Sequence, residues 1–533
     1  MKIRKTISLI IILAVVIAGC GRKAEISPSI NIAVDDNYRN YYEVFVYSFY
    51  DSDGDGIGDL KGVEEKLDYI AELGCNGIWL MPVMPSTTYH KYDVCDYMAI
   101  DEQYGTIEDY ESLIKAAHDK HIRVIIDLVI NHTSSKHPWF IQATEYLKGL
   151  DEGKAPDSSE CPYVDYYHFA KEKKDNTWYQ IEGTPYYYEG SFWSEMPDLN
   201  LANEALMKEL KEVAGFWIDK GTDGFRMDAP LHYEESDTAF NTKVLNSLYE
   251  YCIGLDSDFY MVSEVWASEK TIEDYYKSAT PSMFDFSFAQ AEGDIIKAAR
   301  GRESSDKFVD NMIKYEQARK AVNPDCINAP FITNHDMPRV SNALNGKLRD
   351  MKMAASILLS MNGSPYIYYG EELGMSSKGT KDENKRLPMM WSSADSRGIC
   401  KDPYNADRDI EQRFDPADIQ RDDETSLYNH YKKGLQLRNR YPEIARGDSV
   451  YEKEWNDESI DVTVISRTWN DETIYIAYNY TDKEGECGVF LDKISEIFTM
   501  SSDGEEAEIM ESNEGMRIRI PAKSIVYLKP SAK

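Results

Sequence analysis

Eight short runs rich in β-branched and aromatic residues, separated by longer stretches of helical period, constrain this chain more than any other feature. They are Val44–Phe49, Gly77–Leu80, Val124–Val129, Gly224–Met227, Tyr260–Ser263, Met283–Phe286, Ala329–Thr333 and Tyr366–Tyr368. Between them the apolar spacing predicts helices over Leu60–Leu73, Ile107–Lys120, Leu206–Lys220, Asn241–Ile253, Glu269–Ser278 and Met351–Met361. Such alternation makes parallel β/α units, because neighbouring parallel strands need a crossover and a helix usually supplies it. Eight units close most economically into a (β/α)8 barrel, the TIM-barrel architecture. A doubly wound open sheet is the competitor. Its first turn would carry a Gly-rich phosphate loop, and here that turn is acidic.

Two stretches break the alternation. Residues 133–203, after the third strand, hold Trp139, Trp178, Tyr186–Tyr188 and Trp193 among Gly and Pro. A connection this long is uncommon without a role, which predicts an inserted subdomain. The barrel then takes residues 39–132 and 204–441. From 442 to 533, runs such as Val462–Ser466, Thr473–Tyr478 and Met516–Ile520 alternate without helical period, which predicts a C-terminal antiparallel β-sandwich.

The first twenty residues read as an export signal. Lys2, Arg4 and Lys5 precede an apolar stretch from Ile7 to Ile17, shorter than the roughly 20 residues a spanning helix needs. Its ending, Ile17-Ala-Gly-Cys20, resembles a bacterial lipobox, which implies cleavage before Cys20 and lipid attachment to its sulfur. Residues 21–38 then read as a flexible tether, and the protein is expected at the extracellular face of the cell membrane, held by lipid alone. The other seven cysteines, at 75, 95, 161, 252, 326, 400 and 487, lack CxxC spacing, so neither a disulfide framework nor a zinc site is expected. The formal net charge of −34 excludes nucleic acid, whose phosphates need Lys and Arg, and suits a neutral substrate or bound cations.

The acidic turn is Asp51-Ser-Asp53-Gly-Asp55-Gly-Ile57-Gly-Asp59. Oxygens at positions 1, 3, 5 and 9, Gly at 6 and a backbone carbonyl at 7, here Ile57, are calcium-loop spacing. Position twelve is Gly62 and the preceding segment is strand-like, which rules out an EF-hand; a calcium-bound β/α loop is expected over a solvated acidic turn, because four crowded carboxylates repel without a cation. Further on, four strands run into polar side chains: Asp127–His132, Gly224–Asp228, Tyr260–Glu264 and Phe331–Asp336. Arg226 lies two residues before Asp228 and shares its strand face, so it can hold that carboxylate ionised. Glu264 sits beside Val265 and Trp266, surroundings that keep an acid protonated. Taken singly, these are ordinary ion pairs, strand ends or helix caps. Four at the C-terminal ends of barrel strands make an active site, and a carboxylate pair of nucleophile and acid is the machinery of a retaining glycosidase.

The set resembles the α-amylase family of glycoside hydrolases over nearly the whole chain after the tether. Asp127–His132, Gly224–His232, Glu264–Trp266 and Phe331–Asp336 resemble its first four signatures. Met196-Pro-Asp-Leu-Asn200 resembles the fifth, in a form between amylases and oligo-1,6-glucosidases. The resemblance implies Asp228 as nucleophile, Glu264 as general acid/base and Asp336 as transition-state stabiliser. It implies substrate binding by Tyr92, Asp93, His132, Arg226 and His335, and calcium at Asp51, Asp53, Asp55, Ile57 and Asp59. A second cation would lie at Asn131 and the backbone of His232. Where amylases often carry Lys before the last His of the second signature, this chain has Leu231, which leaves acceptor specificity open. The expected activity is retaining hydrolysis of α-1,4 bonds in starch and maltooligosaccharides. An exo-acting α-glucosidase, an oligo-1,6-glucosidase or a transglycosylase is the alternative. A non-catalytic glucan-binding lipoprotein would be expected to lack one of the three carboxylates, and all three are present.

Overall fold

The computed structural model describes residues 36–455, 462–512 and 515–531. The expected signal peptide, Cys20 and most of the expected tether lie outside the described residues.

Seven strands pair in one curled parallel sheet, in the order Tyr366–Tyr368, Tyr41–Val44, Gly77–Leu80, Arg123–Leu128, Gly224–Met227, Tyr260–Ser263 and Ser282–Met283. Residues 329–331 close the ring, because Ala329 bridges Phe284 and Phe331 bridges Tyr366, both in parallel. Pro330 stands between these two bridges and has no N–H to give a ladder, so the eighth position is held by bridges alone. The chain is therefore a (β/α)8 barrel, with a C-terminal antiparallel sheet domain behind it.

Two strand expectations shift. The first strand is Tyr41–Val44, and the chain then tightens into a single 3-10 turn at Val46–Ser48. The acidic loop doubles back on this turn: the Gly58 N–H donates to Tyr47 O at 2.8 Å, and a Cβ at Gly58 would meet Val46 O at 2.0 Å. The expected strand Met283–Phe286 shortens to Ser282–Met283. Three helices of more than ten residues lie outside the expected set: Pro138–Lys148, Ser305–Val322 and Leu427–Arg440. In Ser305–Val322 the period is broken by buried Glu316 and Arg319; Arg319 turns inward to pair with Asp285 at 2.8 Å and with Glu269.

Within residues 133–203 the helix Pro138–Lys148 accompanies a three-stranded antiparallel sheet ordered Phe169–Ala170, Tyr187–Glu189, Trp178–Gln180. This segment ties back to the barrel mouth through a bridge between His132 and Asp198. At the C-terminal end, a five-stranded and a three-stranded antiparallel sheet share a small core. Val464 and Val526 from one and Ile518 and Ile520 from the other meet there, all fully buried.

Candidate active site

Side chains two apart on a strand share a face, and the mouth of the barrel is built on that rule. Arg226 lies inside the strand Gly224–Met227 and Asp228 just beyond it. Ala229 then turns the chain sharply with φ 45°, a left-handed conformation that a non-glycine residue holds only under strain. Glu264 follows the strand Tyr260–Ser263 in the same way, and Asp336 follows the closing segment 329–331.

Arg226, 1% exposed, gathers three carboxylates. Its Nη1 lies 2.6 Å from Asp127 Oδ1 and 2.5 Å from Asp228 Oδ1, and its Nη2 lies 2.8 Å from Glu264 Oε2. Trp79 Nε1 donates to the other Asp127 oxygen at 2.8 Å, and its ring lies 5.1 Å beneath the guanidinium. One cation cannot balance three buried anions, so the surplus is relieved by protonation. Burial pushes the Glu264 carboxyl up to about 7 against the pull of Arg226, and the negative charges of Asp228 and Asp336 add to the rise. Burial likewise pushes Asp127 up to about 6.

Asp336 is treated in the opposite way. Burial opposes its ionisation, but His335 and Arg386 hold its carboxyl well below the usual range. His335 Nε2 lies 3.0 Å from one oxygen and Arg386 Nη2 2.8 Å from the other. Tyr92 Oη lies 2.8 Å from the same His335 nitrogen, its ring stacked on the imidazole at 5.6 Å. The site thus holds one carboxyl group poised to keep its proton beside another locked as an anion.

The three carboxyl groups open on a cleft of about 350 Å³, which Tyr92, His132 and Arg386 also line. Nε2 of His132 is buried without a partner, and burial lowers this imidazole from its ordinary range. Phe192 and Trp266 form aromatic walls of the cleft and are 48% and 43% exposed. Trp266 is propped by Phe286, whose ring lies stacked at 5.1 Å.

Asp93 is placed elsewhere. It is fully buried beneath the loop before Tyr92, where it accepts from the hydroxyls of Ser86, Thr87 and Thr88 and from Ser134 Oγ at 3.2 Å. It fastens the loop that carries Tyr92 and does not line the cleft. Asn131 Nδ2 donates to Asp198 Oδ1 at 3.3 Å, leaving Asn131 Oδ1 buried without a partner. The His232 ring faces Glu235, with Nδ1 2.9 Å from Oε1, and stacks edge-on with Phe192 at 5.0 Å.

In the acidic loop, carboxylate oxygens of Asp51, Asp53 and Asp59 lie within 4.8 Å of one another. The positive φ of Gly54 and Gly56, 90° and 101°, curls the chain around them. Asp59 also caps the helix Leu60–Glu65 through the Gly62 N–H at 2.7 Å. Asp55 stands outside this trio because its exposed carboxylate turns back to accept from Ile57 N at 2.7 Å. Three converging carboxylates are hard oxygen donors and fit a calcium-type cation.

Several site residues gave no signal in the sequence. Glu43 is buried on the first strand, and Arg386 comes from a long connection without period. Asp127 is marked in the sequence by the signature Asp127–His132, but its contacts with Trp79 and Arg226 are set by the register of adjacent strands.

A parallel eight-fold barrel with paired carboxyl groups at its carboxyl mouth, both bridged by one arginine and one of them raised toward neutrality, is the architecture of a glycoside hydrolase. The comparisons narrow the class. The "Alpha amylase, catalytic domain" family profile matches residues 43–447. The chain is 40% identical over 422 residues to alpha-amylase 3 of Dictyoglomus thermophilum, covering 77% of this chain and 79% of that one. It is 31% identical over 472 residues to a glucan 1,6-alpha-glucosidase of Streptococcus pneumoniae, covering 76% and 85%. The solved structure of Eubacterium rectale Amy13B superposes with a TM-score of 0.88 at 42% identity, covering 94% of this chain and 97% of that one. The chain belongs to the α-amylase family and is an α-amylase-type glycoside hydrolase.

Proposed function

We propose that this enzyme hydrolyses internal α-1,4 bonds of starch and maltooligosaccharides with retention of configuration. The observation that carries the reading is the single guanidinium of Arg226 bridging Asp228 and Glu264. So short a bridge favours the close spacing of a retaining pair, about 5–5.5 Å, over the wider spacing that admits a water. Asp228, ion-paired to Arg226, attacks the anomeric carbon while Glu264 gives its proton to the departing glycosidic oxygen. Glu264, now a carboxylate, takes a proton from water, which releases the sugar from Asp228. Asp336, fixed as an anion, faces the positive charge that develops on the ring. Tyr92 offers the pyranose a flat face, and the free His132 Nε2 a hydrogen bond. The similarity to an α-amylase favours α-1,4 specificity, and the exposed Phe192 and Trp266 suit a chain that extends beyond the reacting bond.

Asp51, Asp53 and Asp59 would hold a calcium ion, with Asp55 and the Ile57 carbonyl completing the set when it binds. Its contribution is to neutralise three crowded carboxylates and fix the first β/α loop. Asn131, with its orphaned oxygen, and the His232 backbone would serve a second cation. A lipid on Cys20 would hold the enzyme at the outer face of the membrane, where polymers must be shortened before uptake. The test is a chromatographic time course on soluble starch and maltoheptaose, with and without a calcium chelator. Mixed short maltooligosaccharides in the first minutes, with the rate lowered by chelation, support the reading. Glucose alone from the outset would replace it with an exo-acting α-glucosidase.

A further inference from the structure

Glu43 is 1% exposed on the first barrel strand, 292 positions before the histidine it faces. Its Oε1 lies 2.6 Å from Nδ1 of His335. The other ring nitrogen, Nε2, lies 3.0 Å from Asp336 Oδ2 and 2.8 Å from Tyr92 Oη. A neutral imidazole carries one N–H. Given to Glu43, it would leave a lone pair facing the Asp336 anion; given to Asp336, it would leave one facing Glu43. Only the imidazolium satisfies both carboxylates.

We propose that Glu43 is a positioning residue that acts through His335, holding that ring as a permanent cation so that Asp336 stays ionised and aimed at the sugar. This inference rests on the reading of Asp336 as the group that faces the developing oxocarbenium charge. Charge balance carries it. Glu43, His335, Asp336 and Arg386 sum to zero, with Arg386 Nη2 2.8 Å from the second Asp336 oxygen. Without the charge on Glu43, the same sum is reached only when His335 gives up its proton.

The groups facing His335 come from four elements: Glu43 on the first strand, Tyr92 after the second, Asp336 on its own loop, and Arg386, whose Nε donates to the His335 carbonyl at 3.2 Å. Across the cleft, the charge of His335 reaches Glu264 and Asp127, which Arg226 also binds. Burial alone would lower the imidazole, but Asp336 and Glu43 outweigh it and lift His335 to about 9 from an ordinary 6.5.

Glu43→Gln tests this, because the amide keeps the shape and can still accept from Nδ1–H while losing the charge. Two readouts separate positioning from packing. The first is an NMR titration of ring-labelled histidine in the intact enzyme, with His335 assigned by the signal that His335→Asn removes. The wild-type ring should titrate above pH 8, and in Glu43→Gln its midpoint should fall by about two units toward 6.5. The second is kcat/KM against pH on a maltooligosaccharide with a 4-nitrophenolate leaving group, which departs without help from Glu264. The wild-type profile should stay level into the alkaline range, whereas Glu43→Gln should decline from near neutrality, and Glu43→Asp should recover part of the range. A wild-type His335 midpoint near 6.5 or lower overturns the proposal even if the variants fail to fold. Coincident wild-type and Glu43→Gln profiles overturn it as well. The titration needs no substrate, so an error in the proposed activity would leave its outcome unchanged.

Discussion

Raising the pH through neutrality should switch off glucan cleavage by removing one proton, the one on Glu264. An ordinary glutamate at 4.5 would be protonated in about one molecule in 300 at pH 7; at about 7, roughly half the molecules are competent. Burial therefore multiplies the active fraction by about 150, equivalent to about 3 kcal/mol. The general acid must be protonated, so activity is present below about pH 7 and lost above it. The assay is kcat/KM on maltoheptaose between pH 4 and 9, for wild type and for Glu264→Gln. The wild-type curve should bend down with an apparent pKa near 7. The variant should fall by about 10²–10⁴-fold and lose that bend, because an amide has no proton to titrate or to give. A wild-type alkaline limb near 4.5, or a Glu264→Gln enzyme that retains its rate on maltoheptaose, would refute the reasoning.

Asp228→Asn keeps a hydrogen bond to Arg226 but has no anionic oxygen to attack carbon, so turnover should drop on the order of 10⁴–10⁶-fold with an unchanged circular dichroism spectrum. Calcium chelation should lower the thermal midpoint, since a cation at 100 times its Kd contributes about 2.7 kcal/mol. Asp53→Ala, at an exposed position of the trio, should abolish that sensitivity in differential scanning fluorimetry. Phe192→Ala and Trp266→Ala should each raise KM for maltoheptaose about 2- to 12-fold, the effect of one lost ring contact of about 0.5–1.5 kcal/mol, with little change in melting temperature.

Much of this architecture was legible because barrels repeat one rule, a strand that delivers a polar side chain at its end. The strands Gly77–Leu80, Gly224–Met227, Tyr260–Ser263 and Tyr366–Tyr368 lie where period and composition place them. The first strand lies earlier than its expected place because strand-forming residues run on from Tyr41 to Phe49, interrupted only by Glu43 and Ser48, while the ladder ends at Val44. Asp228, Glu264 and Asp336 were visible as strand-end carboxyl groups, and the structure brings all three to one cleft. Glu43 was not visible, since a lone acid inside a strand of Tyr and Val has no local mark of a partner 292 residues away. The family resemblance implies substrate binding by Asp93 beside Tyr92, yet neighbours on an irregular loop need not share a face, and Asp93 is buried under that loop. Arg386 lies on a connection whose path is set by tertiary contacts, including its own with Asp336 and Tyr89.

The central claim is that Asp228 and Glu264 cut α-glucan in two displacements, and proton NMR of maltoheptaose hydrolysis tests it most directly. Signals from newly formed reducing ends, recorded before mutarotation, should show the α-anomer first, on a mixture of maltooligosaccharides of several lengths. First appearance of the β-anomer would mean a single inverting displacement and would contradict the roles given to Asp228 and Glu264.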